Sequence, residues 1–326
     1  MNSAIPVNSA IPVNSAIPVN TAIPVNTDAT NPMTKRPGRI KVVARALIGL
    51  SFLVATLSVA TSPASASLAD WTWPTAATTG VPAGTALSAR TGVIRVTTPG
   101  TVIDGVDLNG CVEVLADNVT IRRSRITCGN SPAAVRQFGG RSGLLVEDSE
   151  IIGTPINPAG AGIWAANPYT ARRVEIRGTD DGAFVASGTV IQDSWIHSLH
   201  VSATAHNDLI QMVGGTGVAI LNNRLEHRAD QTSAIMIKAD LGPISDVAIG
   251  DNLISGGIYS VYIHEGPQGM PTNVRVANNV FIRGSSMYGP MYVHGSPALA
   301  CNVHDDRQAV SVVRSSDGHD RFANPC

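Results

Sequence analysis

From Thr101 onward, short apolar stretches return at a period far longer than any single helix or strand. Each has the same grammar: an alternating run, a small polar pair, then a closing apolar residue. Examples are Leu144-Leu145-Val146-Glu147-Asp148-Ser149-Glu150-Ile151, Val190-Ile191-Gln192-Asp193-Ser194-Trp195-Ile196 and Val247-Ala248-Ile249-Gly250-Asp251-Asn252-Leu253-Ile254. The closing apolar residues are Ile126, Ile151, Ile176, Ile196, Leu225, Ile254 and Phe281, spaced 20 to 29 residues apart. Alternation sends Val, Ile and Leu to one face and polar residues to the other, which predicts strands. Pairs such as Asp193-Ser194, Asn222-Asn223 and Asp251-Asn252 are expected at a bend between two strands. Their short side chains tolerate the left-handed conformation and bond the local backbone. Stacked bends also let Asn side chains form ladders. No apolar stripe of 3.6-residue period reaches useful length, which excludes an α/β repeat.

The irregular period predicts an all-β solenoid, each coil made of three short strands joined by loops of varying length. The pattern resembles the right-handed, single-stranded parallel β-helix of the pectate-lyase-like superfamily. The opening Thr79-Gly80-Val81-Pro82-Ala83-Gly84-Thr85, followed by Thr101-Val102-Ile103-Asp104-Gly105, is similar to secreted bacterial members. The resemblance covers roughly residues 79–296, and it implies a fold and a polysaccharide-directed activity without fixing the reaction.

The flanks divide the chain further. Residues 1–32 carry a six-residue repeat ending in Ala-Ile-Pro-Val; Pro in every unit argues against a strand ladder, so this is a low-complexity leader or an early start. Residues 33–66 form a signal peptide: basic Lys35, Arg36, Arg39, Lys41 and Arg45, the apolar Ala46 to Ala60, and Ala64-Ser65-Ala66 as cleavage site. The expected product is secreted and extracellular. Residues 67–92, with Trp71 and Trp73, are expected to seal the N-terminal end, 93–299 to form the β-helix, and 300–326 a C-terminal cap or flap. Four cysteines in an exported chain suggest two disulfides, Cys111–Cys128 and Cys301–Cys326.

Composition narrows the function. Aromatic residues are 4% and charged residues 14% of the chain, with 31 Gly and 20 Pro, as expected of a turn-rich β protein. Loss of the basic leader leaves an acidic mature chain, which argues against nucleic-acid binding. Signal removal leaves no membrane anchor, and a monomer is expected.

Candidate chemistry lies between Thr179 and Glu265. Laying Thr179–Phe184 over His206–Gln211, Ser233–Lys238 and Val261–Glu265, each about 27 residues on, puts Asp181 beside Asp208. The same alignment predicts one outward row of Gln211, Lys238, His264 and His294. Paired carboxylates raise one another's pKa unless a cation intervenes, so Asp180, Asp181 and Asp208 are candidates for a Ca²⁺ site, the one cofactor expected, or for a hydrolytic acid pair. Thr179-Asp180-Asp181-Gly182 is similar to the Asn-Thr-Asp-Gly of polygalacturonase-type hydrolases but departs at the first position. His206-Asn207-Asp208-Leu209-Ile210-Gln211 looks like a His-x-Asp-x-Ile-Gln segment of β-helix proteins with presumed carbohydrate activity. Lys238 is the candidate base of a β-elimination, with His206 or His264 as acid. Gln211, Arg224, Tyr262, Tyr292 and His294 are candidate substrate contacts, the arginine through bidentate carboxylate binding and the tyrosines as sugar platforms.

The leading expectation is a lyase of a uronate-containing glycan. The alternatives are a β-helix glycoside hydrolase using paired aspartates, and a non-catalytic carbohydrate-binding or surface protein.

Overall fold

The computed structural model describes residues 72–202, 206–310, 313–315 and 323–326. The leader, the signal segment and Trp71 lie outside the described residues. Among those described there is no helix; the chain winds as a right-handed parallel β-helix. Three parallel sheets of ten, ten and nine strands run its length. The first begins with Ser88–Thr91, the second with Ile94–Val96 and the third with Val102–Asp104. Each coil adds one strand to each sheet in turn, and every strand pairs with the equivalent strand of the next coil.

The interior is a single column of aliphatic side chains. Ile126, Ile151, Ile176, Ile196, Leu225, Ile254 and Phe281, the closing residues of the sequence pattern, are all buried. Burying an aliphatic side chain contributes about 1.5–3 kcal/mol, and one layer per coil makes every coil depend on its neighbours.

The polar pairs form the bend before the first sheet. Their leading members, among them Asp148, Asp193, Asn222, Asp251 and Asn278, have φ between +47° and +60°, the left-handed region these residues tolerate. The second members turn inward and are buried. Asn223, Asn252, Asn279 and Asn302 form a ladder: each presents Oδ1 to the backbone N–H of the rung before, at 2.8–3.2 Å from Asn252 onward. Each Nδ2 reaches the next rung's Oδ1, at 2.9–3.1 Å. Ser124, Ser149 and Ser194 take the same place in earlier coils. The last rung is Asn324, from the C-terminal tail, whose Oδ1 accepts from Asn302 N at 2.9 Å.

The ends differ from expectation. Strand stacking extends past 93 and 299: Ser88–Thr91 pairs with Val106–Asn109, and Val303–His304 pairs with Val280–Phe281. Ser88–Thr91 is exposed throughout, so it carries no alternation by which a sequence could mark it. Ahead of it the chain does not simply seal the end. Gly80 N donates to Arg173 O at 3.0 Å, and a Cβ on Gly80 would stand 2.9 Å from Glu150 Cγ, so this segment runs along the outside of the first sheet.

Cys111 and Cys128 are joined as a disulfide. Cys301 and Cys326 are free thiols, contrary to the expected pairing. The tail is held there by hydrogen bonds: the Asn302–Asn324 rung, and Cys301 N donating to Pro325 O at 2.9 Å. Contact with Cys301 and then burial push the Cys326 thiol up to about 11.

Replacing a middle rung should cost stability without touching the outer surface. Asn279→Ala leaves Asn252 N and Nδ2 without their acceptor. The expected loss is about 1–3 kcal/mol in urea unfolding; an unchanged midpoint would show that the ladder is not stabilising.

Candidate functional site

The second sheet carries the chemistry on its outward face. Its strands include Ala161–Ala165, Asp181–Val185, Asp208–Met212, Ser233–Lys238, Tyr259–His264 and Gly289–Val293. Strict alternation breaks near each start: Leu209 and Ile210, for example, are both buried. Beyond that kink the pairing registers align one outward row, Arg136, Trp164, Phe184, Gln211, Met236, Tyr262 and Tyr292.

This register corrects one expectation. Asp181 does align with Asp208, because Ala183 pairs with Ile210 across the same two strands. Gln211, however, pairs with Met236 rather than Lys238. Ser233 lies beside Asp208, so the coil measures 25 residues there instead of about 27. Lys238 pairs with His264, two residues further along on the same face. The site therefore has an acid pair at the strand starts, an apolar row in the middle and a basic cluster at the strand ends.

The basic cluster joins several expected residues. The His264 and His294 rings are 3.8 Å apart between centroids, and His264 stacks on Tyr292 at 5.8 Å. His264 Nδ1 lies 2.6 Å from Glu265 O. A carbonyl oxygen only accepts, so Nδ1 carries the hydrogen and Nε2 of the neutral ring is left as a base. His294 Nε2 is 3.3 Å from the Tyr292 hydroxyl, and its Nδ1 is 3.9 Å from Glu265 Oε1. Burial, then the nearby His264, pull the His294 pKa down, with Glu265 opposing. Lys238 Nζ forms an ion pair with Asp240 at 3.0 Å and is partly exposed, so the deep burial expected of a lysine base is absent.

Tyrosines connect the cluster to the acid pair. Tyr259 packs against Tyr262 at 5.2 Å, Tyr292 at 5.1 Å and Tyr288 at 5.8 Å. Burial first, then the surrounding tyrosines and Asp208, push the Tyr262 hydroxyl well above its ordinary value, so it stays protonated.

Asp208 is 1% exposed. Its Oδ1 accepts from Ser233 Oγ at 2.5 Å and its Oδ2 from Gln211 Nε2 at 3.3 Å. Burial, then the Asp181 charge, raise its pKa well above the carboxylate range, against the Ser233 hydrogen bond. Asp181 Oδ1 accepts from the Asp208 backbone N–H at 2.9 Å. Burial pushes the Asp181 carboxyl up to about 7; that hydrogen bond opposes the shift and Asp180 adds to it. Gly182 has a packing role: a Cβ there would lie 2.2 Å from Leu209 O.

Other expected residues stand apart. Asp180 turns to His200, with Oδ1 2.9 Å from Nδ1. Among the described residues no three His, Cys, Asp or Glu side chains gather in a metal-holding group, and Asp180, Asp181 and Asp208 do not converge as a Ca²⁺ cradle. His206 is exposed before the start of its strand, at the opposite end from Lys238 and His264. Arg224 lies in the first sheet, over Trp195 at 4.9 Å and bonded to Glu226, away from the second-sheet face.

Sequence reasoning missed Tyr259, Met236, Phe184, Trp164 and Arg136. All but Tyr259 share the row of Tyr262, so the correct register alone would have found them.

No protein-family model, curated protein or solved structure matches the chain.

The raised Asp181 pKa has a sign that can be checked. An unfolded Asp titrates near 3.8 and the folded one near 7. The proton held by the fold therefore stabilises fully below the lower value and loses that effect as pH rises through the upper one. Asp181→Asn should melt higher than wild type at pH 8 and lose part of the wild type's decline between pH 4 and 7. Parallel melting curves for the two proteins across that range would mean that Asp181 ionises normally.

Proposed function

We propose that this chain is a secreted polysaccharide-active protein of the pectate-lyase-like kind, and that it cleaves a uronate-containing glycan by β-elimination. The carrying observation is the gathering of Lys238, His264, His294 and Tyr292 at one end of an open apolar row. The parallel β-helix is compatible with polysaccharide-active proteins, and its long outward face suits a polymer better than a small metabolite.

β-Elimination needs a neutralised carboxylate, a base for the C5 proton and an acid for the departing oxygen. Lys238 and the imidazole edge of His264 supply positive charge and donors toward the sugar carboxylate. Nε2 of His264 takes the C5 proton. The electron pair forms the C4–C5 double bond as the C4–O bond breaks. Tyr262, kept protonated by burial, gives its proton to the leaving oxygen. Tyr292, against the neutral His294, orients the ring above it.

Hydrolysis by Asp181 and Asp208 fits less well. Both carboxyls are raised, so neither supplies an ionised partner for the other, and Asp208 lies under Gln211 and Ser233.

Purified mature protein given pectate, alginate, glucuronan and glycosaminoglycans should release unsaturated, ultraviolet-absorbing ends from one of them. His264→Ala and Tyr262→Phe should each lower kcat by about 10²–10⁴-fold with an unchanged melting temperature, and Lys238→Ala should raise KM. Plain reducing ends would replace this reading with hydrolysis. Binding with no product would leave a carbohydrate-binding protein.

A further inference from the structure

The outward row extends well beyond the tyrosines, and its far end has features that the proposed chemistry does not use. Arg136 lies with its guanidinium 4.6 Å over the Phe138 ring and 5.4 Å over the Trp164 ring. Arg125, Arg173 and Arg283 each hold a carboxylate at 2.6–2.8 Å. Among the described residues Arg136 forms no such ion pair. Aromatic rings occupy the faces of a guanidinium and leave its planar donor edge free, the edge that grips a carboxylate with two hydrogen bonds.

Beside it, Trp164 and Phe184 stand 5.3 Å apart and wall a cleft of about 400 Å³. Small residues such as Gly214 and Gly242 line its other side. Asn167 also lines it, and its Nδ2 is buried without an acceptor. A buried donor without a partner costs about 1–3 kcal/mol, a cost that a ligand hydroxyl would remove.

We propose that Arg136, Trp164 and Asn167 form a remote subsite for an anionic sugar. The acid group takes the Arg136 edge, the sugar ring lies in the Trp164–Phe184 cleft, and a hydroxyl accepts from Asn167. Trp164 and Tyr262 are four coil steps apart along the row, roughly 19 Å. One molecule reaches both places only if it is a polymer, so the substrate is a long polyanion gripped at two points and cut within the chain. This deepens the proposed reading and rests on the glycan lying along the second sheet.

The probes are anionic oligosaccharides of graded length, in carboxylated and sulfated series, together with a carboxyl-reduced polymer. Calorimetric titration of wild-type protein should show affinity rising about tenfold between oligomers of about three residues and those of about six, long enough to span the row. Arg136→Gln and Trp164→Ala should abolish that rise, and Arg136→Gln should leave the affinity for carboxyl-reduced polymer as in wild type. Whichever series shows the rise identifies the acid group as carboxylate or sulfate. Wild-type binding that ignores length, or a rise that survives in Arg136→Gln, overturns the subsite while leaving the cleavage reading intact. A wild type that binds no anionic glycan of any length overturns both.

Discussion

The buried polar ladder at the bend is the constraint from which the rest of the molecule follows. A left-handed residue turns the chain, and the next side chain fills its own hydrogen bonds from the coil above and the coil below. A buried amide that misses its partner is expensive, so coils slipped by one residue are penalised at every rung. The aliphatic column alone would tolerate such errors better, since one Ile or Val can replace another. The ladder therefore sets registration, and burial provides most of the driving force.

Fixed registration at one corner frees the others. The connectors from first to second sheet span 198–207, 227–232, 256–258 and 282–288 in successive coils. Their lengths differ widely, yet the strands they join remain in line. Function takes advantage of this freedom. The buried acids lie where these connectors enter the second sheet, and the imidazoles and Lys238 lie where its strands leave. The raised Asp181 and Asp208 pKa values reduce stability at neutral pH, a cost the stacked core can carry.

Much of this was legible in the chain. Asp193-Ser194 and Asn222-Asn223 announced the bend because few residues suit a left-handed turn followed by a buried acceptor. Asp181 and Asp208 were matched correctly because the intervening coil has the average length. The row of Gln211 with Lys238 was misread for a physical reason. A period measured at the bend was carried to another sheet, where the shorter 227–232 connector moves the pairing by two residues. Arg224 was drawn into the site by its chemistry, although its place after the bend puts it in the first sheet. Cys301 and Cys326 were correctly brought together, but the tail is held by the Asn324 rung instead of a covalent bond.

That terminal rung has a consequence for assembly. A solenoid whose coils template one another offers its last coil as a template to any identical chain. Asn324 occupies the acceptor position that a neighbouring molecule's asparagine would need, and it does so with a segment too short to continue the winding. The tail thus works as a stopper against head-to-tail fibre growth, built from the same amide contact that propagates the coil.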